Sequence, residues 1–259
     1  MGAPFLEVKN LSKSFGGIKA VDDVSFQIGR DEVVGLIGPN GAGKTTLIRL
    51  LTGILKPSSG KVIFQGNDIT GKAICKITNA GIAVTFQVVK PFRNLPVLIN
   101  VMVPTLSPRS KKHGEWVKAA EARARDALEF CGIADLALES ASVLSHGDLK
   151  RLELARAIAT EPELLLLDEP FGGLSPAETT LIARSLKRLH KGGRFGRLHS
   201  EGPAILIVEH KLAELMKIVD RVIVLNYGQI ITIGTPGEVV SNKEVIEAYI
   251  GKEVSSLVS

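Results

Sequence analysis

The segment Gly38-Pro39-Asn40-Gly41-Ala42-Gly43-Lys44-Thr45 constrains this chain more than any other, because it fills every required position of the pattern G-x-x-x-x-G-K-[ST]. It follows the apolar run Val33–Ile37. It opens a helical pattern from Lys44 to Leu55 that Lys56-Pro57-Ser58-Ser59-Gly60 ends. Glycines in such a turn let successive backbone N–H groups curl around an anion, an approach that side chains would block. The start of the helix adds its partial positive charge. Lys44 then reaches the β- and γ-phosphates of ATP as a point charge, and the Thr45 hydroxyl can ligate Mg²⁺. Gly38, Pro39, Asn40, Gly41, Ala42, Gly43, Lys44, Thr45 and Thr46 are the expected nucleotide contacts.

The rest of the chain reads as α/β. Leu6–Leu11 and Val21–Ile28 are apolar or alternating, separated by Gly16-Gly17 and followed by Gly29-Arg30-Asp31, which predicts short strands with tight turns. Strands near Lys61–Gln65 and Ile82–Phe86 come next. From Val88 to about Pro162 the strand signals fade. Glu115–Cys131 is rich in Ala, Glu, Arg and Leu, and Leu149–Thr160 sets Leu152, Ala155 and Ala159 at helical spacing, so this stretch reads as a helical insertion. Leu164–Leu167 is a continuous apolar run, the pattern of a strand buried on both faces of a parallel sheet. Helix (Pro176–Leu189), strand (Ala204–Val208), helix (Lys211–Val219) and strand (Val222–Leu225) then alternate in βαβ fashion. Gln229–Ile233 and a last helix near Glu244–Ile250 follow. The loop at 191–197, rich in Gly and Arg, is expected to be a solvated connector.

Hydrolysis needs more than a phosphate cradle: a carboxylate for Mg²⁺ and a group to activate water. Asp168 and Glu169 follow directly on Leu164–Leu167. Ligands of open α/β sheets sit beyond the carboxyl ends of the strands, so this end is expected to face the glycine loop. Asp168 is then the Mg²⁺ carboxylate and Glu169 the general base. His210, after the run Ala204–Val208, stands where it could hydrogen-bond a γ-phosphate.

Composition narrows the class. At 259 residues and 45 % apolar content the chain can build one large α/β domain. No apolar run approaches the ~18 residues that a membrane-spanning helix needs. Met1-Gly2-Ala3-Pro4-Phe5-Leu6 lacks the basic and apolar stretch of a secretion signal, and Leu6 stands where a myristoylation motif wants Ser or Thr. Cys75 and Cys131 lack metal-ligand spacing and read as bystander thiols of a reducing compartment. A net charge of +5 suits a negatively charged partner without choosing among nucleotide, lipid and nucleic acid.

A third segment, Leu144-Ser145-His146-Gly147-Asp148-Leu149-Lys150-Arg151, completes a set. With the glycine loop and Asp168-Glu169 it resembles the signature of ABC-type ATPases, and the order Phe15, Gly38, Gln87, Ser145, Asp168-Glu169, His210 resembles theirs over nearly the whole chain. The resemblance implies a P-loop NTPase fold: a mixed, mainly parallel core sheet (1–87 and 163–259), an N-terminal antiparallel β subdomain, and an inserted helical subdomain (88–162), all in one ATPase domain. It implies that Phe15 stacks on adenine, Gln87 touches Mg²⁺ or the attacking water, and His210 contacts the γ-phosphate. Ser145 and Gly147 of one copy would complete the ATP site of another. The residues agree with that last role, since Ser145 reads as an N-cap with Asp148 three positions on. Two departures stand out: His146 and Asp148 replace Gly and Gln of the usual Leu-Ser-Gly-Gly-Gln, and Ser175 stands where the family usually has Asp. Activity is expected to survive the first, and communication between the two ATP sites to differ with the second.

Within that family, Phe15-Gly16-Gly17, Thr85-Phe86-Gln87 and the tail Ile246–Glu253 are most similar to ATP-binding subunits of branched-chain amino acid importers. The resemblance implies an ATPase at the cytoplasmic face of the cell membrane. Its partners would be transmembrane permease subunits, a second ATP-binding subunit (identical or related) and a separate substrate-binding protein, with no nucleic acid. A relative that energises lipopolysaccharide export has a similar tail. A soluble ABC-type ATPase acting on nucleic acid or ribosomes would be expected to carry paired ATPase domains or long coiled-coil arms.

Overall fold

The computed structural model describes residues 4–106, 116–192 and 202–249. Most of the Arg/Gly-rich loop (193–197) and the tail beyond 249 lie outside the described residues. The chain forms two compact units, one of Met1–Thr78 with Ala204–Ser259, the other of Asn79–Pro203.

In the first unit, an antiparallel sheet runs in the order β2-β1-β4-β5, with β1 Leu6–Phe15, β2 Ile18–Ile28, β4 Ser59–Phe64 and β5 Asn67–Asp68. Both β1 and β2 run longer than their apolar patterns predict, because bulges between Val8 and Ser14 carry the ladder through polar sequence. Asn10 and Asp23 take positive φ there, and side chains satisfy the interrupted backbone. Asn10 N–H donates to Ser25 Oγ at 2.8 Å, Asp23 N–H to Ser12 Oγ at 2.9 Å, and Asn10 Nδ2 to Asp23 Oδ1 at 2.9 Å.

The second sheet of this unit centres on β3 (Val33–Ile37), parallel to β8 (Ala204–Val208) on one side and to β9 (Arg221–Asn226) on the other. Every residue of β3 and β8 is buried, as their unbroken apolar runs require. β10 (Gln229–Gly234) returns antiparallel to β9 through Tyr227-Gly228, both at positive φ, the two-residue turn whose twist matches a hairpin. Helix α1 (Lys44–Leu51) buries Leu47, Ile48, Leu50 and Leu51. It ends before the Leu55 that its apolar pattern predicts. Gly53 turns to φ +73 against Lys72, whose carbonyl would lie 2.2 Å from any Cβ at that position. Helix α2 (Ile74–Asn79) follows β5 and runs into the second unit.

The second unit holds the parallel pair β6 (Ile82–Thr85) and β7 (Leu164–Asp168), with Ile82 opposite Leu164 and Thr85 opposite Leu167. Its helices are α3 (Val97–Thr105), α4 (Trp116–Cys131), α5 (His146–Ile158) and α6 (Pro176–His190). Ala120, Ala124, Ala127, Leu128 and Cys131 recur at i, i+4, i+7 and line the buried face of α4, which packs on α3 and α5. Ser175, Pro176 and Glu178 start α6 with a full capping box. Helix α3 escapes a pattern reading because Pro104 sits inside it. Its anchor is Asn100, fully buried, whose amide accepts from Phe92 N–H at 2.8 Å and donates to the carbonyls of Phe92, Leu95 and Pro96. Back in the first unit, the chain ends its described part with α7 (Leu212–Leu215), shorter than predicted, α8 (Pro236–Ser241) and α9 (Lys243–Tyr249). No helix among the described residues is long and apolar enough to cross a membrane.

The cysteines differ in reach. Cys75 is exposed, whereas burial pushes the Cys131 thiol up to about 12. At pH 8 a thiol reagent should therefore modify Cys75 within minutes and Cys131 only after unfolding; equal rates for both thiols in native protein would contradict this packing.

Candidate functional site

In the first unit the glycine loop leaves the carboxyl end of β3 and enters α1 through backbone that side chains cannot follow. Gly38 and Gly43 have φ +153 and +103, and a Cβ would lie 2.1 Å from the Leu225 carbonyl oxygen at the first and 2.3 Å from that of Ala20 at the second. Gly41 also has positive φ, at +83, but open space lies beside it. Ala42 N–H closes the turn on the Pro39 carbonyl at 3.1 Å, while Pro39 is half-buried and Asn40 exposed. No side chain caps α1, and an uncapped helix start of this kind is where anions bind.

Lys44 is 6 % exposed and folds back onto the loop, its Nζ donating to the carbonyls of Gly38 at 2.5 Å and Pro39 at 2.9 Å. An ammonium out of water costs several kcal/mol, which charge-assisted bonds of about 1.5–3 kcal/mol each offset in part. Thr45 exposes its side chain on the first turn of α1 and Thr46 is half-buried behind it.

Parallel pairing sends β3 and β8 out at the same edge, with Leu36 opposite Val208. Gly38 and the pair Glu209-His210 therefore follow neighbouring strand ends. Glu209 is buried and its carboxylate accepts the His210 and Lys211 N–H groups at 2.9 and 3.2 Å, which fixes the backbone that carries His210. Phe15 closes β1 opposite Ile18, half exposed, with the Lys13 ammonium 5.2 Å from its ring centre.

In the second unit the same logic brings Gln87 and Glu169 together. Each stands two residues beyond a paired position, Thr85 and Leu167, and Gln87 Nε2 donates to Glu169 Oε2 at 2.7 Å. Asp168, the last residue of β7, is 3 % exposed. Glu169 takes φ +52, a left-handed conformation that costs a residue with a Cβ about 1–2 kcal/mol. Its carbonyl accepts two bonds, from Gly172 N–H at 3.1 Å and from Lys150 Nζ at 3.2 Å.

Ser145 caps α5 as its spacing predicts. Its Oγ accepts Asp148 N–H at 3.1 Å and donates to Asp148 Oδ2 at 2.6 Å. His146 Nε2 lies 3.1 Å from the Gly172 carbonyl oxygen. Gly147 packs beneath Glu178, whose carboxylate would collide with any Cβ there. The Ser175 hydroxyl and N–H hold the Glu178 carboxyl below its ordinary value.

Sequence reasoning missed Lys150, 5 % exposed, which donates to the Gln87 carbonyl at 3.0 Å as well as to Glu169. The signal was present: Lys150 shares the buried stripe of α5 with Gly147, Leu154 and Ala157, an unusual place for a charge.

The donor set fits a nucleotide and a hard cation. The glycine cradle of the first unit has the chemistry of an anion site, and in each unit there is an oxygen donor of the kind a hard cation takes, the Thr45 hydroxyl in one and the Asp168 carboxylate in the other. No cluster of three or more His, Cys, Asp or Glu among the described residues could hold a metal by itself. Mg²⁺ needs none, since it binds through one or two protein oxygens and completes its shell with phosphate and water.

A strand, a glycine cradle and a capless helix on a mainly parallel sheet define a P-loop nucleoside-triphosphate-binding fold. The sequence profile of the ABC transporter family matches residues 21–172, and a profile described as branched-chain amino acid ATP-binding cassette transporter matches 229–255. The chain is 37 % identical over 264 residues to the high-affinity branched-chain amino acid transport ATP-binding protein LivG of Salmonella typhimurium, a match covering 97 % of this chain and 100 % of that protein. To the protein of the same description named BraF, from Pseudomonas aeruginosa, it is 36 % identical over 263 residues, again 97 % and 100 %. A crystal structure of the ADP conformation of an ATP-binding cassette of an ABC transporter matches with a TM-score of 0.83 at 32 % identity, covering 97 % of this chain and 100 % of that one. The chain belongs to the ABC transporter family.

The glycines give a graded test. Gly41→Ala meets only the backbone penalty of about 1–2 kcal/mol, whereas Gly43→Ala adds a clash with the Ala20 carbonyl. In urea denaturation Gly43→Ala should lose clearly more stability than Gly41→Ala; equal midpoints would mean that the loop yields freely at 43.

Proposed function

We propose that this chain is the ATP-hydrolysing subunit of a membrane importer of branched-chain amino acids. One observation carries the reading: a Gln87–Glu169 pair at the ends of two parallel strands, in a chain whose relatives over their full length are named for branched-chain amino acid transport. Gly38 to Thr46 hold the phosphates of ATP and Phe15 stacks on adenine. Thr45, Asp168 and Gln87 serve Mg²⁺, which when bound neutralises phosphate charge. Glu169 takes the proton of the attacking water, oriented by the Gln87 amide, and His210 contacts the γ-phosphate.

Two copies, identical or related, pair so that Ser145 and Gly147 of one serve the nucleotide of the other. ATP joins them, hydrolysis parts them, and the motion passes to the membrane subunits as a switch between two states. Phe86, Val88, Phe92, Leu95, Ile99 and Val103 are exposed apolar side chains of the second unit, and such a group suits permease subunits at the cytoplasmic face of the membrane. The segment 88–162 is the docking subdomain, and a separate substrate-binding protein delivers the amino acid.

Glu169→Gln should bind ATP with unchanged affinity, hydrolyse it at under about 1 % of the wild-type rate, and elute as a nucleotide-bound dimer in gel filtration. Wild-type turnover in that variant would place the base elsewhere. Lys44→Ala should weaken nucleotide affinity by about tenfold or more in a fluorescent-ATP titration; unchanged affinity would rule out the cradle. In vesicles holding the permease subunits, with the substrate-binding protein supplied, ATP should drive uptake of labelled leucine. Hydrolysis stimulated by RNA, with no membrane partner captured, would favour the soluble class.

A further inference from the structure

Helix α5, which Ser145 caps, is bound to the segment 86–92 along its length. Glu153 accepts Phe86 N–H at 2.9 Å, Lys150 donates to the Gln87 carbonyl at 3.0 Å, and Arg156 donates to the Lys90 carbonyl at 3.3 Å. The Arg156 guanidinium also lies over the Phe92 ring, 5.6 Å from its centre. Positions 150, 153 and 156 lie three apart, so these side chains project from neighbouring turns of the helix. Burial pushes the Glu153 carboxyl up from its ordinary value, against the pull of the Phe86 N–H and the Lys150 charge.

Among these contacts Lys150 does the most. Its ammonium bridges two segments, donating to the backbone on either side of the Gln87–Glu169 hydrogen bond. The peptide it grips at Glu169 is the left-handed one, and such a conformation persists only where its surroundings impose it. Gln87 and Glu169 themselves meet through a bond between long side chains, whose ordering costs rotamer freedom.

We propose that Lys150 is a positioning residue for hydrolysis, holding the Gln87 amide and the Glu169 carboxylate in register from the helix that Ser145 opens, a role that rests on the ATPase reading above. Lys150 makes its contacts with the Gln87 and Glu169 carbonyls. It works through two carbonyls, so its loss lowers the rate of the chemical step and leaves nucleotide binding alone. It also ties the helix meant to face a second copy's ATP to the residues that cleave the chain's own ATP, so that a shift of α5 moves Gln87 and Glu169 together.

Steady-state ATPase kinetics on the full chain test this. Lys150→Met, which keeps the length and apolarity of the side chain but loses the ammonium, should lower kcat by about tenfold or more with KM for ATP within roughly twofold of wild type. Lys150→Arg, which keeps charge and donors, should recover at least about a third of kcat. A Lys150→Met kcat within roughly twofold of wild type would overturn the proposal, as would a loss in Lys150→Arg equal to that in Lys150→Met, or a rise in KM with kcat unchanged. Should Lys150→Met not fold, Lys150→Gln, which keeps a donor on a shorter arm, carries the same test: a reduced kcat at constant KM supports the role, and wild-type kcat overturns it. Wild-type protein that binds ATP without turnover would instead overturn the parent reading and this one with it.

Discussion

A parallel strand buried on both faces has no place for a charge along its length, because each of its side chains meets packed apolar neighbours. β3 and β8 are buried throughout, and β7 admits a carboxylate only at its last residue, Asp168. Polar chemistry is therefore driven to the strand ends, and parallel pairing places the ends of neighbours at one edge. Pairing of Leu36 with Val208 brings out Gly38 and His210, and pairing of Thr85 with Leu167 brings out Gln87 and Glu169. These four residues stand at strand ends because the buried strands leave them no place along their length.

Two lysines contradict that exclusion, and they share one solution. Lys44 and Lys150 are both nearly inaccessible, and each ammonium is satisfied by two backbone carbonyls from loops that leave buried strands. The two differ in what they hold. Lys44 lies against the glycine loop itself, whereas Lys150 joins two separate segments, which under the proposed role makes it a fastener rather than a ligand.

How much of this is legible in sequence follows the range of the interaction. The glycine loop, the run Leu164–Leu167 with its acids, and the Ser145 cap depend on neighbours within a few positions, so residue order reveals them. The Gln87–Glu169 bond and the Lys150 bridge join residues 82 and 63 positions apart, and no local pattern encodes them. Asn100 is obscured differently: a buried amide serving four backbone groups looks like any polar residue on a helix. The extra length of β1 is hidden because side chains of Ser12, Asp23 and Ser25, polar residues that suggest a loop, are what sustain its bulges. The short α1 is the converse case, a helical pattern cut off by a tertiary contact at Gly53.

The departures at the start of α5 are also less severe than their charges suggest. Asp148 spends one carboxylate oxygen on the Ser145 hydroxyl at 2.6 Å and faces the Arg151 guanidinium with the other at 3.6 Å, so its negative charge is largely turned back into its own helix. His146 is held against the Gly172 carbonyl, joining the start of α5 to the turn that leads into Ser175 and α6. That economy has a consequence for Ser145. A hydroxyl has a single proton, and here it goes to Asp148, so a phosphate approaching the Ser145 oxygen must first draw that proton away from a carboxylate. A glutamine at 148 would compete for the proton less, since a neutral amide oxygen is the weaker acceptor. Under the proposed function, the first step at this helix start is therefore an exchange of hydrogen-bond partners, and Arg151 is the residue placed to compensate Asp148 when its Ser145 bond is given up.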